Sequence, residues 1–208
     1  MIDFDSKKLL IFDCDGVMFD SHDANIAYFN RCLEIGGYEP LAGDSVEKII
    51  FMSVRQLLSE IMPDENEVER VFQISQSVDY GEFIPMLEPL FDFDKVFGEL
   101  RKSHYLAVAT NRGRSLLSLF NYYNFYDMIH FKVSTLEAPP KPAPDMLIRC
   151  TDYFGLRPDD AVFIGDAYSD RRAAESAGMD FLWIGSGEGH PSVDNVGDIL
   201  DADIINVR

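Results

Sequence analysis

The sequence predicts an α/β fold in which a doubly wound parallel sheet carries a smaller inserted helical domain. Short apolar runs alternate with helix-like segments over most of the chain, which is the pattern of strands joined by crossover helices. Polar and acidic residues follow several of these runs. Between the first run and the second, an interval of roughly 70 residues from Ser21 to about Leu90 interrupts this alternation, whereas a strand-to-helix connection usually has about 2 to 6 residues.

The predicted core strands are short apolar runs bounded by polar or turn residues. In chain order they are LLIFDCD from Leu9, YLAVATN from Tyr105, IHFKVS from Ile129, AVFIGD from Ala161 and DFLWIG from Asp180. The helix-like segments between them include GRSLLSLFNYYN, APDMLIRCTDYFG and SDRRAAESAG. Nearly continuous apolar runs are typical of strands that helices cover on both faces. The sequence therefore predicts a Rossmann-like sheet, which binds ligands beyond the carboxyl ends of its strands.

Residues 21–90 are predicted to form the inserted domain, and residues 1–20 with 91–208 the Rossmann-like core. Apolar residues recur in the insertion at steps of three and four, which indicates helices with one apolar face. The longest such series is Val46, Ile49, Ile50, Val54, Leu57, Leu58 and Ile61, and an earlier one is Ile26, Phe29 and Leu33. We expect a small helical bundle whose apolar faces pack as its own core.

Composition excludes several classes of protein. The 208 residues include 18 Lys and Arg against 36 Asp and Glu, a formal net charge of −18 with no basic block, which argues against a nucleic-acid partner. The three cysteines are odd in number and widely spaced, which disfavours a disulfide framework and a zinc site. Because no apolar run has the length of a membrane span or a signal peptide, we expect a cytoplasmic protein without a membrane partner. The sequence leaves monomer and homodimer open.

Polar residues follow the predicted strands at one edge of the sheet. They are Asp13, Asp15, Thr110, Asn111, Lys141, Asp166 and Asp170. If the strands are parallel, these residues converge, and each pair of carboxylates 4 Å apart would repel by about 4 kcal/mol in a partly buried site. A cation must therefore compensate. Oxygen ligands without His or Cys favour a hard ion, most simply Mg²⁺.

The spacing of Asp13 and Asp15 suggests a division of labour between two carboxylates. Residues two apart in an extended chain point to the same side, so both could face one reacting centre. One could attack as a nucleophile while the other gives a proton to the leaving group and later takes one from water. The remaining polar residues supply donors of the kind that hold phosphoryl oxygens: Thr110, Asn111 and Lys141.

Four segments in a fixed order carry a family resemblance. FDCDGVMFDS, AVATNRG, PPKPAPDML and VFIGDAYSDRRAAESAGM together resemble the haloacid dehalogenase superfamily, specifically its phosphoglycolate-phosphatase-like branch with a helical cap after the first strand. The resemblance covers the chain from about Leu9 to Ile184. A single Asp-x-Asp would be weak evidence, whereas the ordered set is specific.

The resemblance implies a role for each matching residue. Asp13 would be the nucleophile that becomes an aspartyl-phosphate, and Asp15 the general acid and base. Thr110 and Asn111 would hold the phosphoryl group, and Lys141 would offset its charge. The implied Mg²⁺ ligands are Asp13, the backbone carbonyl of Asp15 and Asp166, with Asp170 as a further ligand or a partner of the ligands. The resemblance thus implies a Mg²⁺-dependent phosphatase acting on a small phosphomonoester.

Several alternatives stay open. Asp15 favours a phosphate ester or anhydride over a carbon–halogen or phosphonate substrate, which has no alkoxide leaving group to protonate. A phosphosugar mutase of this family would carry a histidine twelve residues after the nucleophile, where this chain has Asn25. Two further alternatives are not enzymes: a phospho-accepting signalling domain and a binding protein without turnover. Residues of the insertion that could face a substrate are Asn25, Tyr28, Arg31, Lys48 and Arg55, of which we predict Arg55 as a substrate ligand. Phosphoglycolate, sugar phosphates, nucleotides and pyrophosphate all remain candidates.

Overall fold

The computed structural model describes residues 2–43, 54–185 and 191–200. The chain divides into two compact units, one formed by Met1–Asp20 with Pro89–Arg208 and the other by Ser21–Glu88, called here the sheet unit and the inserted unit. The predicted apolar positions Val46, Ile49 and Ile50 and the candidate Lys48 lie outside the described residues.

The sheet unit is built on six parallel strands. They are β1 (Leu9–Phe12), β4 (Tyr105–Ala109), β5 (Phe131–Val133), β6 (Ala161–Gly165), β7 (Asp180–Ile184) and β8 (Ser192–Val193). Their order across the sheet is β5-β4-β1-β6-β7-β8. This arrangement confirms the predicted α/β class with a parallel sheet, and it includes the short edge strand β8, which the sequence pattern did not indicate.

Both faces of the sheet are covered, which explains the unbroken apolar runs of its strands. The flanking helices are α4 (Phe93–Leu100), α5 (Ser115–Tyr122), α6 (Asp145–Phe154) and α7 (Tyr168–Ala177). On one face, Leu9 and Ile11 pack in a buried cluster with Met146 of α6. On the other face, Phe12 packs against Phe97 of α4, with ring centroids 5.2 Å apart. Burying each such side chain stabilises the fold by about 1.5–3 kcal/mol.

The strand register determines where the site lies. Phe12, the last residue of β1, pairs with Val108 of β4 on one side and with Ile164 of β6 on the other. The chain therefore leaves three neighbouring strands at the same edge of the sheet. This edge is the one at which doubly wound sheets bind ligands.

The inserted unit is helical where the structure describes it. Its elements are α1 (His22–Gly36), α2 (Val54–Ile61), α3 (Glu65–Ser77) and a 3₁₀ helix over Tyr80–Met86. Asp64 begins α3 by accepting a hydrogen bond from the Asn66 backbone N–H at 2.9 Å. Five buried side chains form its main cluster: Leu33, Leu58, Met62, Val68 and Val71. Two short strands, β2 (Phe19–Asp20) and β3 (Glu88–Pro89), form a separate two-stranded sheet.

Cys14, Cys32 and Cys150 are all buried free thiols. Within the described ranges, no helix combines the length and the apolar character needed to cross a bilayer.

Candidate active site

Three carboxylates meet at the carboxyl edge of the sheet. Asp13 follows β1, Asp166 follows β6 and Asp170 lies in the first turn of α7, and one oxygen of each lies within 4.8 Å of the others. The Asp13 backbone N–H donates to the Ile164 carbonyl at 2.9 Å, which fixes the end of β1 against β6. Asp13 and Asp170 are buried and Asp166 is partly buried. The structure therefore brings together three residues that are far apart in the sequence.

Lys141 supplies the positive charge of this cluster. Its ammonium lies 2.7 Å from Asp13 Oδ1 and 2.7 Å from Asp170 Oδ1. The lysine side chain is only 2% exposed and its Nζ lies 5.1 Å from the centre of the Phe163 ring. Burial alone would lower the pKa of Lys141, but the carboxylates of Asp13 and Asp170 raise it above its ordinary value. Lys141 is therefore held as a cation between two acids.

The charges do not balance with the protein groups alone. Three carboxylates and one ammonium leave a charge of −2 when all are ionised. Burial raises the pKa of Asp13 despite the opposing ammonium of Lys141, and burial with the nearby Asp170 raises the pKa of Asp166 to about 7. These shifts oppose ionisation of the two carboxylates, and a cation bound beside them would favour it. The donor set, oxygen atoms with a residual charge of −2, fits a hard divalent ion such as Mg²⁺.

Gly16 makes room for this cluster. Its backbone has a φ of +73°, and a Cβ added there would lie 1.8 Å from Asp166 Oδ2. Any larger residue would therefore be strained and would displace the Asp166 carboxylate. The glycine that follows Asp15 in the sequence is required for the position of an acid on another strand.

Asp170 uses both of its oxygens. Oδ1 pairs with Lys141, and Oδ2 accepts a hydrogen bond from the Ala167 backbone N–H at 3.1 Å, which caps α7. The residue is fully buried. These contacts show how Asp170 positions Lys141, while a direct contact between Asp170 and a metal stays a prediction.

Asp15 lies beside the cluster and has a partner that the sequence analysis did not predict. The Arg112 guanidinium donates from Nε to Asp15 Oδ2 at 2.8 Å and from Nη2 to Asp15 Oδ1 at 2.5 Å. Arg112 is buried, whereas the Asp15 side chain is 34% exposed. Arg112 directly follows the Thr-Asn pair in the sequence, but only the adjacency of β1 and β4 brings it to Asp15.

Thr110 and Asn111 follow β4 and take different positions. Thr110 is buried, and its Oγ1 accepts a hydrogen bond from the Arg112 backbone N–H at 3.1 Å, so its own hydroxyl proton can be donated elsewhere. The Asn111 side chain holds the backbone of Lys141: its Oδ1 accepts from the Lys141 N–H at 2.8 Å and its Nδ2 donates to the Lys141 carbonyl at 3.2 Å. Asn111 thus positions Lys141, and its predicted contact with a phosphoryl group remains a prediction.

Arg55 lies in the inserted unit and is engaged by acidic neighbours. Its guanidinium contacts Glu69 at 2.6 Å and Glu65 at 2.7 Å, and it lies over the Phe72 ring. All three partners belong to α3, so the arginine joins α2 to α3. These contacts account for Arg55 within the helical bundle, and its role as a substrate ligand stays a prediction.

The parallel sheet with carboxylates at its carboxyl edge makes this an α/β protein whose candidate site is built on aspartates. Asp13 and Asp15 follow the central strand, and Lys141 lies between Asp13 and Asp170. The chain belongs to the haloacid dehalogenase-like hydrolase family, because the sequence model of that family matches residues 10–184. This confirms the resemblance carried by the four sequence segments.

Relatives and a solved structure agree with this assignment. A phosphoglycolate phosphatase of Aquifex aeolicus is 26% identical over 180 residues, 82% of this chain and 81% of the relative. The pyrophosphatase PpaX of Bacillus cereus is 23% identical over 174 residues, 81% of this chain and 79% of the relative. A subfamily IA hydrolase of the family from Geobacter sulfurreducens superposes with a TM-score of 0.78 at 28% identity, over 95% of this chain and 96% of that one. These matches bear out the predicted class of enzyme, a phosphatase of the haloacid dehalogenase type.

Proposed function

We propose that this chain is a Mg²⁺-dependent phosphatase that hydrolyses a small phosphomonoester through a phosphorylated Asp13. One observation carries the proposal: Asp13 directly follows the central strand β1, with its carboxylate 2.7 Å from the Lys141 ammonium and in a cluster with Asp166 and Asp170. A buried carboxylate with a fixed direction and a neighbouring cation is suited to attack an anionic phosphorus centre.

The two carboxylates after β1 would act in sequence. In the first step an oxygen of Asp13 attacks phosphorus, the bond from phosphorus to the leaving oxygen breaks, and Asp15 gives that oxygen a proton. In the second step water attacks phosphorus and Asp15 takes its proton. The bond between phosphorus and the Asp13 oxygen then breaks, which releases inorganic phosphate and restores Asp13. The Thr110 hydroxyl and the Lys141 ammonium would hold the phosphoryl oxygens while charge moves through them.

The metal would be held by residues of the sheet unit. We infer that Asp13, Asp166 and the backbone carbonyl of Asp15 are its ligands, with Asp170 either as a further ligand or as the group that orients Lys141. When bound, the ion would neutralise the charge on the phosphoryl group. The residual charge of −2 and the raised pKa values of Asp13 and Asp166 support this site.

Asn25 favours hydrolysis over phosphoryl transfer between two sugar positions. Asn25 stands where a phosphosugar mutase would carry a histidine, and its amide is engaged within the inserted unit. Its Oδ1 accepts from the Tyr80 hydroxyl at 2.7 Å and its Nδ2 donates to Ser21 Oγ at 3.2 Å. An amide does not take up and release protons near neutral pH as an imidazole does. Phosphosugar mutase activity is therefore the second candidate.

The first experiment measures turnover. Purified protein with Mg²⁺ should release many equivalents of phosphate from 4-nitrophenyl phosphate, EDTA should stop the release, and added Mg²⁺ should restore it. Absence of phosphate release from any phosphate ester would contradict the proposal, and one labelling event without turnover would favour a phospho-accepting domain. A panel of phosphoglycolate, pyrophosphate, nucleotides and hexose phosphates would then rank substrates. Conversion of β-glucose 1-phosphate to the 6-phosphate would instead indicate a mutase.

The substitution Gly16→Ala should damage the site from a neighbouring strand. The added methyl group meets the Asp166 carboxylate and the backbone is in the left-handed region, so we expect phosphate release to fall by about 10²-fold, as for other displacements of about 1 Å. Gly98→Ala is the matched control, because among the described residues an added Cβ there would meet no atom within 4 Å beyond its own stretch of helix. It should keep full activity. If Gly16→Ala also keeps full activity, phosphate release does not depend on the position of the Asp166 carboxylate, which would contradict this description of the site.

A further inference from the structure

The mechanism proposed above gives no role to Arg112, although this residue pairs with the catalytic candidate Asp15. The two residues are 97 positions apart and meet because β1 and β4 are neighbours. Two roughly parallel N–H donors face the two carboxylate oxygens at 2.8 and 2.5 Å. A planar guanidinium fork of this kind fixes the plane and the direction of a carboxylate, which a single ammonium cannot do.

The arginine itself is firmly held. Its side chain is 6% exposed, and its carbonyl accepts hydrogen bonds from the Thr135 backbone N–H and from Thr135 Oγ1, both at 3.2 Å. Its backbone N–H is bound by Thr110 Oγ1. Asp15, in contrast, is partly exposed and lies in the turn that follows β1. The buried arginine is therefore the fixed partner, and the carboxylate is the group that is positioned.

We propose that Arg112 is a positioning residue for Asp15, which it aims at the oxygen of the leaving group and later at the attacking water. This inference rests on the proposed function of the site. A carboxylate oxygen has two acceptor positions, so each Asp15 oxygen that accepts one N–H of Arg112 keeps a second position for the proton it transfers. The pair can thus persist while Asp15 works. Arg112 is not expected to contact the phosphoryl group, because Nε and Nη2 are directed at Asp15.

A double-mutant cycle tests this inference. The variants are Arg112→Met, Asp15→Asn and the double variant, with Arg112→Lys as the conservative change and Arg101→Met as the matched control, since Arg101 is an exposed arginine of the same unit that contacts the Asp127 carbonyl. Arg112→Met should lower kcat by about 10-fold to 100-fold with little change in KM, as expected for a misaimed catalytic group. Arg112→Lys should recover part of this loss. Arg101→Met should keep full activity.

The decisive result is the double variant. If Arg112 acts through Asp15, adding Arg112→Met to Asp15→Asn should cause no further loss of kcat. If the two losses multiply, or if KM rises instead of kcat falling, Arg112 contacts the substrate directly and the inference is wrong. Thermal unfolding of the wild type, Arg112→Met, Asp15→Asn and the double variant gives a readout without catalysis. Non-additive changes in stability support the pairing, and additive changes overturn it. Failure of the proposed function would appear as an inactive wild type, whereas failure of this inference requires an active wild type.

Discussion

Replacing Asp13 with asparagine should abolish catalytic phosphate release, lowering kcat by about 10⁴-fold or more. The substitution keeps the size of the side chain and removes the charged oxygen that would attack phosphorus. Burial, together with the neighbouring carboxylates, raises the pKa of Asp13, so removing its charge should leave the fold intact. The measurement is steady-state phosphate release with Mg²⁺, together with circular dichroism to verify folding.

The matched control for this substitution is Asp152→Asn on the exposed face of α6. It changes the same chemical group in the same unit and should keep the wild-type rate. A folded Asp13→Asn protein that releases phosphate at the wild-type rate would contradict the assignment of the nucleophile. Slow phosphate release that also disappears with EDTA would be expected from residual stabilisation of the transition state by the remaining residues.

Replacing Lys141 with methionine should be the next most damaging change and should also alter stability. The variant loses the ammonium that contacts both Asp13 and Asp170, so we expect kcat to fall by about 10²-fold to 10³-fold, the effect typical of removing one donor from a transition-state site. Lys102→Met is the control, because Lys102 is an exposed lysine that pairs with Glu99 on the surface. It should have no effect on kcat.

The stability effect of Lys141→Met has a predicted pH dependence. In the metal-free protein the pKa values of Asp13 and Asp166 are already raised above their unfolded values, so the folded state binds more protons and loses stability as pH rises from about 4 through their folded pKa values. Removing the ammonium raises these pKa values further. Wild type and variant should lose stability in parallel up to about pH 6, and only the wild type should stop losing it as its two carboxylates ionise, so their difference in melting temperature should grow from about pH 6 to about pH 9. A difference that is constant over this range would contradict the charge balance described for the site.

The sequence predicts the framework of this site well, because Asp13, Thr110 and Asp166 each stand next in sequence to the strand that positions them. The strands β1, β4 and β6 are continuous apolar runs, and the residue that follows each run is placed at the sheet edge once the strands are parallel. The strand pattern alone was enough to predict that Asp13 and Asp166 lie at this edge. The register of β1 between β4 and β6 then brings them together.

The features that the sequence does not predict are side-chain contacts between residues that are distant in sequence. Arg112 reaches Asp15 only because two strands distant in sequence are neighbours. Asn111 turns to the Lys141 backbone, although its residue type equally suits a phosphoryl ligand. Arg55 meets Glu65 and Glu69 only when α2 and α3 pack together. In each case the residue type allows several partners, and tertiary structure selects one.

The most direct test of the account is the detection of a phosphoryl group on Asp13. The variant Asp15→Asn with Mg²⁺ and 4-nitrophenyl phosphate should accumulate the intermediate, because this leaving group needs no proton while hydrolysis of the intermediate needs a base. Acid quench followed by peptide mass spectrometry should place the phosphoryl group on Asp13, and Asp13→Asn should show none. Phosphorylation of another residue, or turnover of wild type without any phosphorylated enzyme in a rapid quench, would contradict the account.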